Sequence, residues 1–259
     1  MVWIVLSFVI LIGWFSFRYN WWKRPVNYTF PRILMYHLVR EHIGRNKYNS
    51  LRVTPDMFEK QIKYLYENGW ASFTVTEALE NVDKLPSKSV IITFDDGYRD
   101  NFTNAFPILK KYNFKATIYL VNNRDHLGLK SEPRLTDNDV FELINSGLIE
   151  IGAHTLSHAN LNKLNFDEKK KEICESKQTI EEQFNIKCKS FAYPFGNYND
   201  TDKKIVSQCG FGSAVTTKVG IADLRSCDLF EIPRIAIRGR DNFFAFQLKL
   251  KTGKRGMIK

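Results

Sequence analysis

The sequence predicts an α/β fold built on a mostly parallel sheet with both faces covered. Two observations carry this. The candidate strands are continuous apolar or β-branched runs, as expected of strands buried on both faces. They alternate with amphipathic helical stretches along nearly the whole chain. At about 230 residues, the alternating part suits a (β/α) barrel with fewer than eight units. An open doubly wound sheet is the alternative.

Residues 32–37 open the pattern as a strand. Thr54 and Pro55 start a helix, Thr as cap and Pro at the first helical position. Phe58, Ile62, Leu65 and Tyr66 recur in it at helical spacing, and Gly69 ends it. Residues 71–75 read as a short strand, and Thr76 as the cap of a short helix. Residues 89–94 are a β-rich apolar run, followed by a helix over 102–112 and a strand over 116–121. A helix over 136–146 stops at Gly147, and a strand follows over 149–153. Asn165 with Glu168 resembles a capping box before a helix reaching about residue 184. Strands are predicted over 190–193, 212–216 and 232–237, and helices over 200–208 and 242–250. No repeat or linker divides this region.

The chain has 259 residues, 44% hydrophobic and 25% charged, which excludes a disordered, collagenous or low-complexity protein. Its length is ample for a core without disulfide staples. The formal net charge is +10, but it sits at the ends. Residues 18–32 carry four basic and no acidic side chains, and residues 249–259 five basic and none acidic. The body between is nearly neutral, which excludes a nucleic-acid binder with a basic face and fits attraction of both ends to anionic lipid. Residues 1–17 are uncharged and apolar, and Tyr19, Trp21 and Trp22 follow Arg18. The expectation is an uncleaved membrane anchor over 1–19 in a bacterial cytoplasmic membrane, a juxtamembrane linker over 20–30, a folded domain over 31–250 and a basic tail over 251–259. Basic residues after the anchor place the domain in the cytoplasm by the positive-inside rule. Cysteines 174, 188, 209 and 227 form no Cys-x-x-Cys pair, and the simplest reading is four buried free thiols.

Five histidines are present, and two form His154-Thr-Leu-Ser-His158 after a strand. A pair four apart can face one ion if the segment turns helically, although the spacing alone better suits two unrelated polar histidines. Thr93-Phe94-Asp95-Asp96-Gly97 ends another strand. Adjacent carboxylates are costly there unless something positive compensates them, or unless the turn leaves both solvated. Carboxyl ends of parallel strands meet at one face, so Asp95, Asp96, His154 and His158 can gather around a divalent ion. Two His and one Asp leave coordination positions open, as in sites where Zn²⁺ or a similar ion acidifies water and polarises a carbonyl. The other carboxylate would serve as general base. His37 also ends a strand and could reach the same rim, or remain a hydrogen-bonded core histidine.

These motifs, with Phe191-Ala192-Tyr193-Pro194-Phe195-Gly196, resemble the polysaccharide deacetylase family with its NodB-type domain, and occur in the family's order. The resemblance spans roughly residues 30–250. It implies a deformed (β/α)₇ barrel that hydrolyses N-acetyl groups of N-acetylglucosamine-type sugars in a glycan. It implies Asp95 as base, and Asp96, His154 and His158 as ligands of a divalent metal, Zn²⁺ or else Co²⁺ or Ni²⁺. A backbone N–H near Phe195 would complete an oxyanion hole. Ala192 stands where many members carry Arg, and no histidine follows His158 to act as a late acid. Met35-Tyr36-His37 and the helix over 55–69 are similar to the permuted subgroup of poly-β-1,6-N-acetylglucosamine deacetylases, which implies His37 as the acid. Pro233-Arg234-Ile235 is similar to a later motif of that subgroup. Arg234 is then either the partner of Asp95 or a surface ion-pair residue. Tyr98, Tyr193 and Phe195, with Pro194, are candidate walls of a sugar groove or packing residues. Members of this kind act outside the cytoplasmic membrane, and on that resemblance the domain is expected on the outer side, against the charge-based orientation. The alternatives are a deacetylase of a lipid-linked sugar precursor and an inactive glycan-binding protein of the same fold.

Overall fold

The structure is a computed structural model and describes residues 2–19, 21–123 and 132–254. Its elements run α1 (Val2–Arg18), β1 (Arg32–Tyr36), β2 (Leu38–Val39), β3 (Arg52–Val53), α2 (Pro55–Glu67), β4 (Ala71–Phe73), α3 (Val75–Glu80), β5 (Ser89–Phe94), α4 (Phe106–Tyr112), β6 (Ala116–Leu120), α5 (Asp137–Asn145), β7 (Ile149–Ala153), α6 (Phe166–Phe184), β8 (Ser190–Ala192), α7 (Asp200–Gln208), β9 (Ser213–Val219), β10 (Ile232–Ala236) and α8 (Phe243–Thr252).

Seven parallel strands close a barrel in the order β1-β5-β6-β7-β8-β9-β10, and β10 returns to β1. The open doubly wound alternative is excluded by this closure. The barrel is deformed at β5, whose one edge is shared. β4 takes residues 89–91 and β6 takes residues 92–94. Between β9 and β10 the register shifts at Ile232/Arg234, the kind of irregularity that re-aims a side chain beside a site.

Two buried clusters follow from the period of two along each strand. Ile33, Ile91, Tyr119, Ala192, Val215 and Ile232 fill the barrel interior. Leu34, Tyr36, Ile92, Phe94, Ile118, Ile151 and Ile235 face the surrounding helices. The alternation that sends Ile33, Ile91 and Ile232 inward also carries His37, Asp95 and Arg234 to the inner face at the carboxyl end.

Local chemistry sets the helix starts. Thr54 caps α2 by accepting from the Met57 N–H, with Pro55 following. Thr136 with Asp139, and Asn165 with Glu168, form reciprocal capping boxes at α5 and α6. The short helix α3 is capped by Thr74 with Glu77 rather than by Thr76, which lies inside it. A cap needs extended backbone, and Thr74 has φ −75° and ψ 168°.

The amino-terminal expectation is corrected. α1 has 17 residues, about 25 Å of helix against a hydrocarbon core of about 30 Å. No helix among the described residues is long and apolar enough to cross a membrane. Nor do residues 21–30 behave as a free linker. The Val26 N–H donates to Lys251 O at 2.9 Å. The Arg32 guanidinium donates to the carbonyls of Val26, Asn27 and Leu250 at 2.7, 2.9 and 2.7 Å. Burial without an acidic partner pulls this guanidinium down to about 10. Phe15 and Tyr19 pack on Phe244 of α8, with ring centres 5.9 and 5.3 Å away. α8 itself continues to Thr252, past the predicted domain end. Met1, Asn20 and tail residues 255–259 lie outside the described residues.

The expectation of four free thiols is also corrected. Cys174 of α6 and Cys209 after α7 form a disulfide, with Cα atoms 5.1 Å apart. Cys188 and Cys227 are free.

Candidate active site

The site starts at the end of β5. Asp95 is 2% exposed and meets the fully buried Arg234 of β10 in a two-pronged pair. Nη1 donates to Oδ1 and Nη2 to Oδ2, each at 2.7 Å. The guanidinium is fixed by its other bonds, from Nε to Thr216 O and from Nη1 to Thr93 Oγ1, both 2.9 Å. Thr93 Oγ1 donates in turn to Leu34 O at 2.8 Å. Burial favours the neutral acid, but Arg234 overcomes it and holds Asp95 below the usual carboxylate value. Arg234 is thus an interior partner rather than a surface ion-pair residue.

Asp96, the next residue, has a different environment. Its Oδ1 faces Nε2 of His154 at 3.4 Å and Nε2 of His158 at 3.2 Å. That oxygen is buried and has no hydrogen-bond partner. His154 Nδ1 lies 2.7 Å from Ala192 O. With Nδ1 engaged there, Nε2 faces Asp96, the ring nitrogen a metal ligand would use. One ligand atom from each of Asp96, His154 and His158 lies within 4.8 Å of the others. A carboxylate with two imidazoles suits a divalent transition ion, and an orphaned buried oxygen between two ring nitrogens is what such a set leaves when nothing bridges it. Burial opposes the charge on Asp96, yet the two imidazoles hold its carboxyl well below the usual range. Burial also opposes the charge on His154, but Asp96 and Asp95 raise it; at His158 burial prevails and lowers it.

The segment between the histidines is not helical, contrary to the reading of their spacing. They converge through left-handed backbone at Thr155 (φ 66°) and His158 (φ 58°). Asp96 (φ 74°) and Phe195 (φ 59°) share this conformation. It is costly for non-glycine residues, most of all for β-branched Thr155, and such strain gathers at functional sites.

The remaining predicted residues divide. His37 sits half-buried one residue past β1, and its imidazole helps lower both carboxylates. The Phe195 ring is 59% exposed, with its centre 4.5 Å from that of His158, and forms an outer wall. The turn Pro194–Gly196 that carries it spends the N–H groups of Gly196 and Asn197 on the carbonyls of Tyr193 and Pro194. Gly196 is required there, because an added Cβ would lie 1.8 Å from Thr217 Oγ1. Tyr193 and Tyr98 are packing residues rather than groove walls. The buried Tyr193 donates to Phe230 O at 3.0 Å and stacks on Tyr198. Tyr98, 2% exposed, lies under Arg134, whose guanidinium carbon is 3.7 Å from its ring centre. Pro194 is buried at the start of its turn.

Sequence reasoning missed Arg134, which donates to Asp96 O at 2.9 Å. It also missed Asp100, Asn101 and Asn104. Their spacing along one helical face after Asp95-Asp96-Gly97 was the available signal.

A parallel barrel whose mouth holds a His₂Asp donor set beside a separately paired, ionised carboxylate has the parts of a metal-assisted hydrolase. Comparison with known proteins narrows this class. The polysaccharide deacetylase family model matches residues 82–214. YxkH of Bacillus subtilis, classed with the polysaccharide deacetylases, is 36% identical over 208 residues, covering 79% of this chain and 70% of that protein. The poly-β-1,6-N-acetyl-D-glucosamine N-deacetylase of Staphylococcus aureus is 29% identical over 243 residues, covering 85% and 82%. Among solved structures, the Streptococcus pyogenes deacetylase PplD in complex with acetate superposes with a TM-score of 0.76 at 30% identity, covering 88% of this chain and 99% of that one. The chain belongs to the polysaccharide deacetylase family.

Proposed function

We propose that the protein is a metal-dependent N-deacetylase acting on N-acetylglucosamine-type residues of a glycan. The observation that carries this is the Asp96–His154–His158 donor set lying next to the Asp95–Arg234 pair. When bound by those three residues, a divalent ion, Zn²⁺ or else Co²⁺ or Ni²⁺, would polarise the acetyl carbonyl and ease ionisation of a water. Asp95, kept ionised by Arg234, accepts the proton of the attacking water. The Phe195 N–H donates to the oxygen on which negative charge develops. His37 protonates the departing sugar amine. The exposed Phe195 ring offers an apolar face to a sugar. The nearly neutral body suits a neutral glycan.

The likeness to the Staphylococcus aureus enzyme supports a poly-N-acetylglucosamine-type substrate. We place the domain outside the cytoplasmic membrane. The Cys174–Cys209 disulfide supports this side, since such bridges persist in oxidising compartments. The test is acetate release from N-acetylglucosamine oligomers by the purified protein, with added Zn²⁺, Co²⁺ or Ni²⁺ against chelator. Release that depends on metal and is lost in Asp95→Asn is expected. Metal binding without release from any N-acetylated sugar would overturn the assignment.

A further inference from the structure

We propose that Asp100, Asn101 and Asn104 are positioning residues that fix the turn bearing His37 relative to the Asp95–Asp96 loop; this rests on the reading of His37 as the acid. His37 lies between β1 and β2, beyond the barrel ladder that fixes the strand before it. The backbone around it is held by side chains instead. Asn101 Nδ2 donates to His37 O at 2.9 Å. Asp100 Oδ1 accepts the Val39 N–H at 3.1 Å, and Asn104 Nδ2 donates to Val39 O at 2.8 Å. Asn101 Nδ2 also donates to Asp100 Oδ1 at 3.0 Å, tying two of the three together.

All three residues follow the Asp95-Asp96-Gly97 loop within one short segment. Residues 101–105 are wound as a π-helical turn before α4, a rare winding found mostly at functional sites. Asp100 is 8% exposed and Asn101 1% exposed, so these are interior bonds in which a lost partner is not replaced by water. On the other side, the Asp95 N–H donates to Tyr36 O at 3.0 Å. Two cross-links thus join the strand end bearing base and metal ligand to the strand end bearing the acid, one before His37 and one around it. A proton donor must sit within hydrogen-bond reach of the leaving nitrogen, and a misplacement of about 1 Å can cost on the order of 100-fold. The Asn101–Asn104 face sets that distance without touching substrate.

The test separates acid catalysis from the rest of the machinery by leaving group. Cleavage of N-acetylglucosamine oligomers needs a proton on the departing amine; 4-nitrophenyl acetate releases a phenolate that needs none. The purified protein with Zn²⁺ is assayed on both substrates as wild type, Asn101→Ala, Asn104→Ala, Asp100→Ala, Asp100→Asn and His37→Ala. The expected result is a tenfold or greater loss of kcat on the oligomer for Asn101→Ala, with less than a threefold loss on the ester, as in His37→Ala. Asn101→Ala added to His37→Ala should cost nothing further on the oligomer, and Asp100→Asn, which keeps an acceptor for Val39, should recover activity lost in Asp100→Ala. Half-buried Asn104 provides the variant least dependent on core packing. Equal losses on both substrates, tracking the melting temperature, would overturn the inference and leave the deacetylase standing. A wild type active on the ester but inert on every N-acetylated sugar would overturn both.

Discussion

Asp95 and Asp96 are neighbours in sequence, yet they face two opposite kinds of surroundings. On the β10 side, Asp95 has each oxygen filled by a guanidinium N–H, and that guanidinium is held by Thr93 and Thr216. On the β7 side, Asp96 keeps an orphaned oxygen before two imidazoles, in a left-handed backbone. The first arrangement is complete and fixes a charge. The second is incomplete and calls for a ligand. A single strand end can therefore supply a paired, ionised carboxylate and, one residue on, a carboxylate facing two imidazoles, because the change of backbone hand between them turns the second carboxylate away from the first one's partner.

The largest expected effect comes from opening the finished side. Arg234→Ala leaves Asp95 buried and unpaired, so stability should fall by about 3–5 kcal/mol in urea unfolding. Acetate release should fall at least 100-fold, and near-normal activity would break the contrast. The unfinished side should answer differently. His158→Ala removes one donor, and Zn²⁺ affinity in calorimetry should drop by more than the roughly 10–100-fold typical of losing an outer-shell partner. The metal-free melting temperature should fall less than in Arg234→Ala, since His158 meets Asp96 through one ring nitrogen and breaks no two-pronged buried pair; a fall as large as that of Arg234→Ala would erase the difference between the two sides. A control on the outer layer of helices is the Cys174–Cys209 bridge between α6 and the end of α7. Cys209→Ser should lower stability by about 3–4 kcal/mol in a chain-entropy view while leaving activity at low temperature unchanged.

The smallest effect concerns pH. Burial raises Asp100 to about 7; it faces the Val39 N–H, Arg40, Glu132 and Arg134. An unfolded aspartate titrates near 3.9, so the native state holds a proton that the unfolded chain loses between about pH 4 and pH 7. Asp100 therefore lends stability that is full below pH 4 and declines as pH rises through 7. The melting temperature of Asp100→Asn should decline less over that window than that of wild type, and parallel curves would remove Asp100 from the account.

Much of this was legible in the sequence. Strands over 89–94 and 149–153 were read with their observed bounds, and a period of two then places His37, Asp95 and Arg234 on one inner face. What periodicity cannot give is a partner. Nothing local says that β4 shares an edge with β6, or that Cys174 meets Cys209. The convergence of His154 and His158 was anticipated for the wrong backbone, because left-handed φ at Thr155 and His158 is imposed by the surroundings rather than announced by glycine. The anchor was read from apolar composition despite a helix slightly short of the hydrocarbon core, and no helix among the described residues is long and apolar enough to cross a membrane.

The position of β1 has a kinetic consequence. It lies between β5 and β10, with Leu34 beside Ile235, and Arg32 reaches Leu250 O. The first strand of the barrel, Arg32–Tyr36, is thus completed only by Ile232–Ala236, a strand far along the chain. Until β10 arrives, one edge of β1 and one of β9 stay open. Contacts this distant in sequence make folding slow. A growing chain cannot seal itself early, and a prematurely ended one is left with two adhesive strand edges.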